Sequence, residues 1–270
     1  MVALAGQNGE DAETLIRRVI AAQERQQEVA RDYTYRESIS TRDLDSSGRV
    51  RDSESESYLV TPAPGGEYRR LLSKNGAALP PEKEAEEERK FKEHVEKQLR
   101  RPASDRDAET KEKLNKRVER YRERLEEALE AFEFVAMPDE TLLGEPVRVF
   151  RFCPKLGYEG HSRATKILAR MEGTVWIDPR RDQLARLHLR IRESLKFLGG
   201  VFGRVSEGSE ALAEGSLHDG ELWLPVRIDV TLDARFYFLK EYHQRITFDY
   251  DDYKKYVVAT EERVGRERPR

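Results

Sequence analysis

The sequence is nearly free of cysteine. Its single thiol, Cys153, excludes an internal disulfide. It also excludes a cysteine-based zinc site, which needs several thiolates at set spacing. Histidine is sparse: His94, His161, His188, His218 and His243 are scattered, and no two stand three or four residues apart. No metal and no cofactor are expected. Long apolar runs are missing as well. None approaches the ~20 residues a helix needs to cross a bilayer, so the chain is not expected to be an integral membrane protein. Neither sign of charge dominates: 49 Lys and Arg face 52 Asp and Glu, for a net charge of −3. A nucleic-acid binder needs a basic field to displace counterions, so no nucleic-acid partner is expected.

What is present is charge of both signs, 37% of the chain, beside an equal 37% of hydrophobic residues. Charge that dense marks an elongated, solvated element added to an ordinary core. The 270 residues suffice for one large domain with a sizeable core.

Residues 11–31 read as an amphipathic helix. Leu15, Val19 and Ala22 share a face with Ile16 and Ile20, and Asp11 stands ready to cap the start. Strand patterns follow. Tyr33, Tyr35, Glu37 and Ile39 alternate with Thr34, Arg36 and Ser38, and a polar strand covers residues 50–60. Asn75-Gly76 is a two-residue hairpin turn, because both residues tolerate positive φ.

The character changes at Pro80-Pro81. About thirty of the roughly fifty residues that follow are charged, with the signs interspersed, as in a solvated helix laced with ion pairs. Phe91, Val95 and Leu99 form a thin stripe. After a break at Arg101-Pro102, Leu114, Val118, Tyr121 and Leu125 repeat in steps of four and three, the seam of a helix lying along a partner. These residues predict an antiparallel helical hairpin at about 80–131, inserted in the domain.

Strands resume after Phe134, with a short helix expected at residues 162–170. The clearest pattern comes late: Leu224, Val226, Ile228, Val230, Leu232, Ala234, Phe236 and Phe238 take every second position, with polar residues between. That run is long for one strand, so a bend or turn is expected near Asp233-Ala234. Ile246, Phe248 and Tyr250 continue the alternation. Consecutive strands without intervening long helices imply antiparallel pairing. Residues 261–270 read as a frayed, charged tail. The expected fold is α+β: a curved antiparallel sheet with an N-terminal helix and an inserted charged hairpin.

No catalytic residues are expected. Ser162 beside His161 is adjacency only, and the carboxylates lie mostly on solvated helices. Asp229, Asp249, Asp251 and Asp252 lack the loop spacing and turn glycine of a calcium site. Residues 195–204, apolar and glycine-rich, read as a flexible lip at a pocket mouth, as a membrane-touching loop, or as a kinked or bulged core strand. A sheet this wide curls, and a concave, aromatic-lined groove would suit an apolar ligand. The alternative is a closed core.

Several segments carry a family resemblance. The N-terminal helix leads into Tyr33-Thr34-Tyr35-Arg36-Glu37, and Gly66-Glu67-Tyr68-Arg69-Arg70-Leu71 precedes Asn75-Gly76. A Pro154-x-x-Gly157-Tyr158 loop comes before Gly173-Thr174-Val175-Trp176-Ile177-Asp178-Pro179, with Leu187–Ile191 after it. Together these resemble the outer-membrane lipoprotein-sorting proteins, the LolA and LolB carriers and RseB-type sensor domains, and more nearly exported bacterial members of that type. The resemblance implies a half β-barrel whose concave apolar face is covered or flanked by helices, and a periplasmic or exported location with the signal peptide removed. Ala3-Leu4-Ala5 has the small-x-small form of a cleavage site. It further implies a carrier or sensor holding an apolar or acylated ligand. Tyr33, Tyr35, Val226, Ile228, Val230, Phe236 and Phe248 would line the cavity. Phe91, Val95, Leu99, Leu114, Val118, Tyr121 and Leu125 would form a lid or docking arm. The carriers hold an Arg-Pro pair before the strand of Tyr68. Thr61-Pro62 stands at that place here, so the latch arginine has no counterpart. The alternative reading is a protein–protein interaction module that uses the charged hairpin, with the sheet as a closed core.

Overall fold

The computed structural model describes residues 11–197, 203–236 and 240–256. Residues 237–239, the middle of the glycine-rich segment and both termini, including the expected frayed tail, lie outside them.

Helix α1 spans Ala12–Ala30, and the Asp11 carboxylate accepts from the Thr14 amide at 2.7 Å. Three strands follow as a meander: β1 (Tyr33–Leu44), β2 (Val50–Ala63) and β3 (Gly66–Lys74). The Asn75-Gly76 turn has φ of 51° and 75° and leads to the short β4 (Ala77–Ala78). The charged segment forms α2 (Pro81–Leu99) and α3 (Ala103–Ala131). Next come β5 (Phe132–Ala136), β6 (Glu140–Leu142), β7 (Glu145–Pro154) and the short α4 (Arg163–Leu168). The rest is strand: β8 (Met171–Asp178), β9 (Gln183–Ile191), β10 (Leu195–Phe197), β11 (Gly203–Val205), β12 (Glu210–His218), β13 (Leu222–Phe236) and β14 (Lys240–Lys255).

Every strand pairing is antiparallel, and the main path runs β4-β3-β2-β1-β14-β13-β12-β9-β8-β7-β5. The sheet is curved and does not close into a barrel: β4 ends it on one side and β5 on the other. The chain therefore leaves one edge, at β4, and re-enters at the opposite edge, at β5. Eleven strands laid flat measure on the order of 50 Å across. The 29 residues of α3 reach about 43 Å. The length of the charged insertion thus suits a strap between the two edges. Lys113 Nζ approaches the Gly65 carbonyl at 3.5 Å at the β2–β3 turn, and the far end of α3 runs straight into β5.

The apolar stripes of the two charged helices do not pack on each other as expected. α3 packs along α1, whereas α2 packs on β3. Phe91 meets the Tyr68 ring at 5.1 Å, not the seam of α3. No residue of α2 is buried, and Leu99 is 57% exposed. Leu114 and Val118 of α3 are buried, with Tyr121 and Leu125 half-buried. A heptad stripe specifies that a partner exists but not which one, and here α1 supplies it.

The main core lies under α1. Leu15, Ile16 and Val19 pack with Leu129 and Ala131 of α3 onto Phe150, Phe152, Val175 and Ile177 of the sheet. Gly173 sits in this layer, where a Cβ would fall 2.1 Å from the His188 carbonyl oxygen and 2.6 Å from Phe152, so only glycine fits. In a second cluster, Val147, Val149, Ala185 and Trp223 are buried, with Leu142, Trp176 and Leu217 packed against them. Near Asp233-Ala234, where a bend or turn is expected, the neighbour of β13 on one side changes from β12 to β11. β13 pairs with β14 without a break through Asp233–His243 and Ala234–Tyr242. The register irregularity lies at Val226, where the register against β12 shifts by one residue.

Candidate functional site

Residues opposite each other in adjacent strands share a sheet face. Following the register gives one continuous row: Ile39, Phe248, Ile228, Ala213, Leu187, Val175 and Phe150. A neighbouring row runs Thr41, Ile246, Val230, Ala211, Leu189, Gly173 and Phe152. The two ends of these rows differ. From Leu187 and Leu189 to Phe150 and Phe152 they belong to the core under α1 or pack against it. From Ile39 to Ala213 every residue is only half-buried, and none belongs to a buried cluster. The same apolar face is covered over β5, β7, β8 and β9 and open over β1, β14, β13 and β12.

Helix length accounts for the asymmetry. The 19 residues of α1 extend about 28 Å, enough for some six strands at 4.8 Å spacing. Its C-terminal end reaches a strand-end cluster in which Val29 and Ala30 pack against Tyr33, Leu222 and Leu224. The middle of β13, β14 and β1 is left without a helix against it.

An aromatic group bounds the open area. Tyr35 lies 5.2 Å from Tyr253 and 6.1 Å from Tyr250, ring centre to ring centre. Burial and the nearby Glu37 carboxylate push the Tyr250 phenol up to about 12. Burial also raises Tyr35 and Tyr253, with Glu67 adding at the former. These phenols therefore stay protonated and act as donors, and Tyr253 donates to the Pro225 carbonyl at 2.7 Å. Beside them Glu37 pairs with Arg69, whose guanidinium lies 4.3 Å from the centre of the Tyr58 ring. The site thus has a dry floor and one polar, aromatic rim.

The opposite face of the same strands is wet. Arg227 bridges Asp229 at 2.7 Å and Asp249 at 3.5 Å, Arg186 holds Glu214 at 2.7 Å, and Thr247 donates to Asp229 at 2.8 Å. Two of the four aspartates considered for calcium are occupied in this way. Among the described residues no group of three or more His, Cys, Asp or Glu could hold a metal ion. Among them also, no helix is long and apolar enough to cross a membrane.

Of the expected lining residues, Ile228, Val230 and Phe248 meet on the open rows and Tyr35 stands at their rim. Val226 is the extra residue at the register shift. Tyr33 is only 3% exposed and belongs to the strand-end cluster, its hydroxyl donating to Asp219. Phe236 ends β13, and its side chain falls outside the described residues. Ile39, Ile246, Ala211 and Ala213 complete the floor. Their own alternation carries the signal, but only the register shows that they join the others. The α2 helix does not lie over the rows. It contacts Tyr68, and its Glu88 pairs with Arg70 at 2.7 Å. Both residues alternate with Arg69 and project from the other side of β3.

No family model matches the chain, and no curated protein matches it in sequence. Among solved structures, the chain is similar to a LolA superfamily protein from Nitrosomonas europaea, at 9% identity and TM-score 0.33, over 91% of this chain and 94% of that one. It is similar to an outer-membrane lipoprotein-sorting protein domain from Vibrio parahaemolyticus, at 11% identity and TM-score 0.30, over 93% and 96%. It is also similar to a chain of the MucA/MucB complex of Pseudomonas aeruginosa, at 9% identity and TM-score 0.25, over 86% and 93%. Likeness of this degree concerns general architecture and carries no argument about ligand or activity.

Proposed function

We propose that the protein is a binding protein, a carrier or sensor, that holds an apolar or acylated ligand against the open half of its sheet. One observation carries this reading: a single apolar face is sealed by α1 at one end and left half-exposed at the other. Burying a side chain such as Ile or Phe contributes roughly 1.5–3 kcal/mol, so a folded chain gains by covering such a row. Contiguous apolar patches of this kind mark binding surfaces. An acyl chain satisfies the floor without needing a hydrogen bond, and the Tyr35, Tyr250 and Arg69 rim offers donors to a polar end. An exported or periplasmic location belongs to the same proposal.

An uncharged fluorophore, N-phenylnaphthylamine, tests it. Fluorescence should rise on titration with the protein and fall on competition by a long-chain alcohol. Ile228→Glu places a carboxylate in the middle of the floor and should weaken binding by about tenfold or more, a loss of about 1.4 kcal/mol. An unchanged titration in Ile228→Glu would remove the open face from consideration.

A further inference from the structure

A cavity of about 1010 Å³ lies away from the open face, where the loop after β7, helix α4 and the segment leading into β10 meet. The loop after β7, α4 and the segment before β10 bring five cations to its wall: Lys155, Lys166, Arg170, Arg192 and Lys196. Only two carboxylates, Glu159 and Glu193, line it. Most basic side chains on α2 and α3 stand in ion pairs with neighbouring glutamates. Those of the cavity do not. Lys155 donates to the Leu129 carbonyl at 3.0 Å and Arg170 to the Lys166 carbonyl at 3.4 Å, so neither charge is neutralised. Among the described residues, no carboxylate within salt-bridge distance pairs with Lys166, Arg192 or Lys196. A chain with net charge −3 thus concentrates positive charge at one concave place.

The wall is built rather than incidental. Thr165 is 1% exposed, and its hydroxyl accepts from the amides of His161 at 2.9 Å and Ser162 at 2.8 Å. The Ser162 hydroxyl accepts in return from the Thr165 amide at 3.1 Å. Gly160, with φ of 70°, lets the loop close on this turn, since a Cβ there would fall 2.4 Å from the Thr165 backbone. The Arg192 amide donates to the Arg170 carbonyl at 2.9 Å, which fixes the two arginine-bearing segments side by side. Beyond the lining residues, Arg204 donates to the Ser194 hydroxyl at 3.0 Å and adds a sixth cation near the rim.

We propose that this cavity is an anion site that takes a phosphorylated organic ligand, with the phosphate held by Lys166, Arg192 and Lys196. Five cations against two carboxylates leave an excess of three. A single carboxylate would offset one of these, whereas a phosphate monoester carries roughly −1.5 to −2 and three strong acceptor oxygens. Guanidinium forks and lysine point charges suit it. A volume at the upper end of the range for small-molecule sites, about 300–1,000 Å³, has room for an organic portion, which would lie on Ile167 and Leu195. The site is independent of the open apolar face, and failure of one leaves the other standing.

Glycerol phosphate, tested by calorimetry at low ionic strength, probes a soluble source. Cosedimentation with phosphatidylcholine vesicles, with and without phosphatidic acid, probes a lipid headgroup. One of the two phosphorylated ligands should bind, and pure phosphatidylcholine should not. Lys166→Ala with Arg192→Ala should weaken that binding at least about tenfold, as should Lys196→Glu on a different segment, in variants whose circular dichroism matches the parent. Lys116→Ala, on the exposed side of α3, should leave it unchanged, and so should N-phenylnaphthylamine competition. Binding of glycerol phosphate assigns a soluble source, and binding of the vesicles alone assigns a headgroup. Absence of binding to both, or equal binding by the cavity variants, overturns the proposal.

Discussion

Asp178 shows how single residues set this protein's response to acid. It is fully buried, and burial alone would raise its pKa. Hydrogen bonds from the Trp223 indole at 3.0 Å, the Arg181 guanidinium at 2.6 Å and the Arg180 amide at 2.9 Å outweigh burial and hold the carboxyl below its ordinary 3.8. A carboxyl depressed on folding contributes stability that is fully present above its unfolded value and lost as pH falls through the folded one. That contribution should therefore disappear only below about pH 4. Asp178→Asn removes the charge facing Arg181 and should lower stability at neutral pH by about 1.5–3 kcal/mol, the worth of a hydrogen bond to a charged group, read from the urea midpoint. His218 acts in a different window. Burial keeps it below 6.5, with Asp219 opposing, while its ring packs 4.7 Å from Tyr253. A histidine held neutral in the fold contributes stability above its unfolded value, and this is lost as pH falls below about 6.5. The melting temperature should drop between about pH 7 and about pH 5, and His218→Gln should flatten that slope. Neither residue stood out in the sequence, since both depend on neighbours some forty residues away or on packing.

Among the elements, the local patterns were legible and the partnerships were not. The period-two run from Leu224 onward identifies a strand, and the Asp11 cap and apolar stripe identify α1. The stripe of α3 was equally clear, yet its partner is α1 and not α2. Periodicity reports a buried face and is silent about what buries it. The same holds for β13. Its length suggested a bend or turn at Asp233-Ala234, but pairing with β14 runs on through that point, and the register shift falls at Val226, beside Pro225, which cannot donate to the ladder. The unequal roles of the two charged helices can be measured. Leu129→Ala, which empties part of the core under α1, should cost about 2–4 kcal/mol by chemical denaturation. Phe91→Ala on α2 removes a contact with Tyr68 at the sheet edge and should cost about 1 kcal/mol or less.

For the whole molecule, topology explains why a long charged strap exists: the chain must pass from one edge of an open sheet to the other. A 19-residue α1 is too short to cover the entire width, and the remainder of the apolar face stays open. The general form, a curved antiparallel sheet with an N-terminal helix and charged helices near it, follows from the sequence pattern, and the family resemblance added that the sheet does not close. The division of the face into sealed and open halves does not, because it depends on register and on where α1 ends. The basic cavity was equally hidden, with its cations divided among three segments that only the fold unites. The central claim is that the open half receives an apolar ligand, and photolabelling tests it most directly. An uncharged alkyl diazirine, irradiated with the full chain and mapped by peptide mass spectrometry, should mark Ile39, Phe248, Ile228, Val230 and Ile246. Labelling confined to other surfaces, with these five residues unmarked at saturating probe, would contradict it.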